Sequence, residues 1–208
     1  MSQNAYVQYG CGFCAPAGWR NFDASPTLRF ERVPVLGRLY CRNSQRFPAN
    51  VEYGDIVKGL PVPAGSCHAV YCSHVLEHLA LEDLRLALRN TLCILRDGGM
   101  FRLVVPDLEV AIQHYLQDSS PAACYQFLRA TGLGQERRRR GVAGRVVSCF
   151  TNAPHLWMWD YRSLEQELRA AGFRQVRRAY FADGSDPKFA EVEMRERWTD
   201  CCGIECRA

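Results

Sequence analysis

Cys11 and Cys14 sit three positions apart in the stretch Tyr9-Gly10-Cys11-Gly12-Phe13-Cys14. Thiols at this spacing exchange disulfides or supply half of a zinc site. The same stretch sets Gly10 and Gly12 directly after the alternating run Ala5-Tyr6-Val7-Gln8-Tyr9, where a glycine turn lets backbone approach a ligand closely. A second group is His74-Val75-Leu76-Glu77-His78. It has the H-x-x-E-H spacing of an inverted zinc hydrolase motif, two imidazoles one helical turn apart around a carboxylate. Single candidates are Asp107, His155 and the terminal cysteines Cys201, Cys202 and Cys206.

Each metal or redox reading lacks a component. A redox C-x-x-C opens a helix that lowers the first thiol's pKa, whereas Cys14 is followed by Ala15-Pro16-Ala17-Gly18, a poor helix former. No second C-x-x-C completes a zinc site with Cys11 and Cys14, and no downstream glutamate stands out to complete a hydrolase. No resident metal is expected. A zinc hydrolase using His74-x-x-Glu77-His78 stays as an alternative.

The chain has 208 residues, of which 48% are hydrophobic and 23% charged. That composition suits a globular domain with a sizeable core. Eleven cysteines, an odd number and about 5% of the chain, with no leader-like start, favour reduced thiols and a cytoplasmic location. No apolar run reaches the roughly 18–20 residues of a membrane span. A net charge of +4 argues against nucleic acid as a partner. The dense basic run Arg137–Arg140 lies among glycines and reads as a solvated loop.

Elements that would position the candidates follow from periodicity. Apolar, β-branched runs at 5–9, 19–24, 51–57, 68–73 and 100–105 read as strands, and leucines at 81, 84, 88, 92 and 95 make one stripe of a helix over 80–96. Asp97-Gly98-Gly99 is expected to stop that helix. A second helix is expected from about Asp160, as N-cap, to Ala171, with Gly172 as its stop. Phe173–Phe181 and Cys201–Cys206 read as the last strand pair. Strand–helix–strand succession implies a mostly parallel, doubly wound α/β sheet of Rossmann-like type in one domain, 1–208. Residues 108–159, helical at first, form an insertion expected to be a lid or substrate wall. Ligands in such sheets bind beyond the carboxyl ends of the strands. There lie Gly10-Cys11-Gly12, Asp23, Gly54-Asp55, Ser73-His74 and Pro106-Asp107.

The segments VQYGCGFCAPAGWRNFDAS, GDIVKGLPVPAGSCHAVYCSHVLEHL, LRDGGMFRLVVPDLE and WMWDYRSLEQELRAAGF resemble, in order, the class I S-adenosylmethionine-dependent methyltransferases. The likeness is to a short branch with a GCG…GW.N.D opening and an SHVLEHL segment. It implies S-adenosyl-L-methionine as cofactor, with Gly10, Cys11 and Gly12 beside its methionine half. It further implies Asp23 on the ribose hydroxyls, Asp55 and Ile56 at the adenine, and Ser73 and His74 near the sulfonium. Any general base is expected at His74 or His155. Asp107 is expected either to orient substrate or to cap the next helix, and His78 to cap or pack. Trp157, Met158 and Trp159 would wall an apolar substrate or lie in the core. The acceptor is expected to be a small molecule, a sugar or a natural-product intermediate; the oligomeric state has no signature. Only ten residues separate Gly12 from Asp23, so the first crossover helix is expected to shrink to a loop. A non-catalytic partner in a biosynthetic assembly is the alternative that this departure keeps open.

Overall fold

The computed structural model describes residues 5–34, 45–134 and 154–208; the basic run 137–140 lies outside them. Strands β1 (Tyr6–Tyr9) and β2 (Arg20–Asp23) are followed by a short helix α1 (Pro26–Glu31) and β3 (Val51–Tyr53). Then come β4 (Cys67–Ser73), α2 (Leu81–Ile94), β5 (Leu95–Pro106), α3 (Leu108–Gln117), α4 (Ala123–Ala130), α5 (Tyr161–Ala171), β6 (Arg174–Ala179) and β7 (Cys201–Arg207). The strands form one sheet in the order β3-β2-β1-β4-β5-β7-β6. Strand β7 runs antiparallel to β5 and β6, and the other pairings are parallel. This is the Rossmann-like arrangement expected from the strand–helix succession.

One face of the sheet carries the main core. Val7, Tyr9, Phe22, Val70, Cys72, Phe101 and Leu103 meet Leu84, Ala87 and Leu88 of α2 and Leu164 and Leu168 of α5. Truncating a fully buried leucine such as Leu88 would cost about 2–5 kcal/mol. Helix α5 starts as expected: Asp160 and Ser163 close a reciprocal capping box, and Gly172 ends the helix at φ +110°. Helix α2 ends earlier than expected. Leu95 is already extended and pairs with Cys67 of β4, so Asp97-Gly98-Gly99 lies in the entry to β5 and does not stop the helix.

The opposite face explains the short first crossover. Residues 10–19 contain no helix. Two buried amides, facing each other in the β1–β2 register, pin the loop instead. Gln8 donates to the Asn21 side-chain oxygen (2.6 Å) and the Cys14 carbonyl (2.7 Å). Asn21 donates to the carbonyls of Pro16 (3.2 Å) and Trp19 (2.9 Å). A parallel sheet needs cover on both faces, and here the β6–β7 connection supplies it. Phe189 and Val192 pack on Trp19, Ala69, Tyr71, Met100 and Val104.

Arg102, fully buried on β5, ties that connection down. It donates to Glu193 (2.5 Å), Asp183 (2.9 Å), Glu205 (3.1 Å) and the Tyr180 carbonyl (2.7 Å). The Trp198 ring lies 4.7 Å from its guanidinium.

Candidate functional site

The turn after β1 is built on backbone that favours glycine. Gly10 has φ +67° and Gly12 φ +54°. A Cβ on Gly10 would lie 2.1 Å from Val75 Cγ2, so the turn packs directly on the residue two past β4. In front of Gly12 the space is open: among the described residues, apart from its chain neighbours, no heavy atom lies within 4 Å of its Cβ position. The Gly12 N–H donates to Asp23 Oδ2 (3.0 Å), and the Ser25 N–H donates to Oδ1 (2.7 Å). Each carboxylate oxygen thus keeps a further lone pair. Cys11 points elsewhere, into a small cluster with Leu28 and Val51.

Burial, with the nearby Asp23 charge, pushes the Cys11 thiol up to about 12, and burial also raises Cys14. Neither thiol is activated, so the redox reading of the C-x-x-C is not supported. Cys202 and Cys206 lie in the main core, and among the described residues neither belongs to a cluster that could hold a metal.

At the end of β3, the Gly54 N–H donates to the Asp23 carbonyl (3.2 Å), which joins the two strand ends. The Asp55 carboxylate accepts the Val57 N–H (3.1 Å) and pairs with Lys58 at 3.1 Å. The Ile56 side chain is buried in the main core, with the Asn90 amide donating to its carbonyl (2.8 Å).

Past β4, His74 takes the left-handed conformation, φ +55°. Its Nε2 lies 3.0 Å from the Arg197 carbonyl and its Nδ1 3.3 Å from Glu77 Oε1. Burial, the largest influence, disfavours its charge. Contacts with Cys201, Glu77 and the Arg197 carbonyl outweigh it and push His74 up to about 10. This favours the imidazolium, which has no free lone pair and does not suit the expected general base. The Arg197 guanidinium in turn donates to the Ser73 carbonyl (2.7 Å). Among the described residues no carboxylate pairs with it. Nothing in the sequence singles out Arg197, because its place depends on how the β6–β7 connection folds back. Ser73 itself is buried.

The segment that leads into α5 returns to this edge. The N–H groups of Leu156 (2.8 Å) and Trp157 (3.1 Å) both donate to the Glu77 carbonyl, and the Leu108 N–H donates to Trp159 O (2.8 Å). His155 is thereby set against His78, ring centroids 5.0 Å apart. Burial, its largest influence, lowers the His155 pKa. Residues 76–78 form one 3₁₀ turn, so His74 and His78 do not share a helix face as the H-x-x-E-H reading requires. Asp107 takes the capping role of its two expected ones. Its Oδ1 accepts the Glu109 N–H (2.9 Å), Oδ2 lies 3.5 Å from Arg178, and the residue is buried. Of the three aromatic-cluster residues, Trp159 is core, whereas Trp157 is exposed.

A family model described as a methyltransferase domain matches residues 14–177. A search of curated proteins returned no match. Among solved structures, one similar chain comes from the complex between the Haloferax volcanii Trm112 methyltransferase activator and a methyltransferase. It shares 16% identity at a TM-score of 0.51, over 99% of this chain and 83% of that one. A SAM-dependent methyltransferase from Thermotoga maritima shares 15% identity at 0.51, over 100% and 83%. One from Archaeoglobus fulgidus shares 14% at 0.51, over 100% and 87%. At such identities the structural likeness speaks for the fold, while the family match spans most of the sequence. The chain belongs to the methyltransferase-domain family.

Proposed function

We propose that the protein is an S-adenosylmethionine-dependent methyltransferase acting on a small-molecule, sugar or natural-product acceptor. One observation carries this reading: the Asp23 carboxylate is held at the Gly10–Gly12 turn by two backbone N–H groups, with lone pairs to spare beside open space. A carboxylate so fixed suits a pair of ribose hydroxyls. Asp55, at the neighbouring strand end, suits an adenine amino group.

The cofactor's own carboxylate would ordinarily meet a helix N-terminus, and residues 10–19 offer none. Arg197 fits that duty, a cation fixed at the β4 end by the Ser73 carbonyl and without a carboxylate partner among the described residues. When bound, the cofactor supplies a methyl group already activated by its sulfonium. The chain's contribution is then alignment and exclusion of water. Residues 108–159 would wall the acceptor. His74, its pKa pushed up, is unsuited to accepting a proton; His155 stands at the same edge. Asp107 holds its helix.

Calorimetry with S-adenosylhomocysteine tests this. Wild-type protein is expected to bind at micromolar level. Asp23→Asn should bind roughly 10–100-fold more weakly, because hydrogen bonds to a charged group contribute about 1.5–3 kcal/mol. Silence from the wild type would overturn the reading and favour a non-catalytic partner protein.

A further inference from the structure

Glu77 is fully buried, and neither of its carboxylate oxygens has a hydrogen-bond partner. Leaving such a group unpaired is costly. His74 Nδ1, at 3.3 Å, attracts one oxygen without the alignment of a hydrogen bond. His78 Nε2 stands 4.0 Å from that same oxygen, too far for a direct bond. The other nitrogen of His78 lies 3.3 Å from the Pro154 carbonyl, to which it is placed to donate. With Nδ1 as donor, the Nε2 lone pair is left available, the tautomer that outer partners impose on metal-ligating histidines. His155, clamped alongside by the Leu156 and Trp157 bonds to Glu77 O, has a buried Nδ1 with no partner.

One ligand atom from each of Glu77, His78 and His155 lies within 4.8 Å of the other two, the only such trio among the described residues. Bonds of roughly 2.0–2.2 Å from a single ion to each atom span most of that gap. Side-chain shifts of under about 1 Å close the rest.

We propose that Glu77, His78 and His155 bind a divalent first-row transition-metal ion. Two imidazoles and one carboxylate suit such an ion and leave coordination positions open. The ligand set differs from the H-x-x-E-H reading: His74 is replaced by His155, from the segment that leads into α5. An open position would take a hydroxyl oxygen of the acceptor and lower its proton affinity; this last role, unlike the metal site itself, rests on the methyl-transfer reading. The acceptor class it favours is an alcohol or phenol.

The test uses the full chain, stripped by chelation and titrated with Mn²⁺ and Zn²⁺ by calorimetry, with metal content measured by mass spectrometry. One ion per chain is expected. Glu77→Gln and His155→Ala should each weaken binding by more than the roughly 10–100-fold that loss of an outer partner costs. His114→Ala, exposed on α3, should leave it unchanged. Circular dichroism verifies that each variant is folded, and S-adenosylhomocysteine affinity is measured in parallel. Metal uptake without nucleoside binding would support the site while defeating the methyl-transfer reading. Nucleoside binding without stoichiometric metal would defeat the site alone. Metal binding unmoved by both folded variants, or Zn²⁺ uptake abolished by cysteine alkylation, would also overturn it.

Discussion

Replacing Arg102 with methionine removes the cation that ties the β6–β7 connection to the sheet. The side chain is wholly buried, and two of its three carboxylate partners, Glu193 and Glu205, are buried as well. Methionine fills much of the same volume, so the loss is chiefly electrostatic. Among the described residues Glu193 then has no cation in contact, and Glu205 keeps Arg177, at 3.1 Å, as its cation, with Ser185 still donating to it. Removing one member of a buried ion pair costs about 3–5 kcal/mol, because the surviving charge is stranded. For a domain of this size that is a fall in Tm of roughly 6–20 °C. The assay is urea and thermal unfolding of the wild type, Arg102→Met and the double variant with Glu193→Gln. The double variant should regain part of the loss by neutralising the stranded carboxylate. A loss below about 1 kcal/mol, or no recovery in the double variant, would refute the claim that this network holds the connection in place.

Gly10→Ala should destabilise by about 1–2 kcal/mol for its left-handed backbone alone, with more from the clash with Val75; adding Val75→Ala should relieve the clash part, seen as non-additive ΔΔG in urea unfolding. Stability should also fall in acid. The carboxyls of Asp183 and Glu205 are held below their usual range: burial, the largest influence, raises them, but Arg177 and Arg102, with the Tyr180 backbone for Asp183 and Ser185 for Glu205, outweigh it. Folded values below the unfolded ones mean that their stabilisation is complete above about pH 4–4.5 and is lost as pH falls further. Unfolding midpoints across an acid series should show this slope, shallower in Arg102→Met.

What was legible in the sequence is what local patterning controls. The stripe of α2, the Asp160 and Gly172 ends of α5, and the strand ends that gather Gly12, Asp23 and Asp55 all follow from period, cap and turn chemistry. The short first crossover was legible too, from spacing alone. Three features were not. The β6–β7 connection has no periodicity, and its burial arises only because β1 and β4 are otherwise bare on that face. His74 looks like a base until the Arg197 carbonyl and Glu77 close on its ring. His155 is separated by more than seventy residues from the Glu77–His78 pair that it joins, and only the backbone clamp at Glu77 O brings them together. One hint was present: an arginine at position 102 inside an apolar strand must have buried partners.

A crossover helix does two jobs at once, covering the sheet and presenting its free N–H groups to an anion. Here the two are separated. Cover comes from Phe189 and Val192, while fixed positive charge at the β4 end comes from the side chain of Arg197, in the same connection. A helix terminus is rigid because its own backbone bonds hold it, whereas a guanidinium must be held from outside. The reciprocal pair, Arg197 to Ser73 O and His74 to Arg197 O, does that holding. The Arg102 network secures the connection that carries it. Under the proposed function, anion recognition at this edge would be tied to the packing of the opposite face of the sheet, a dependence that a protein with the full helix would not have.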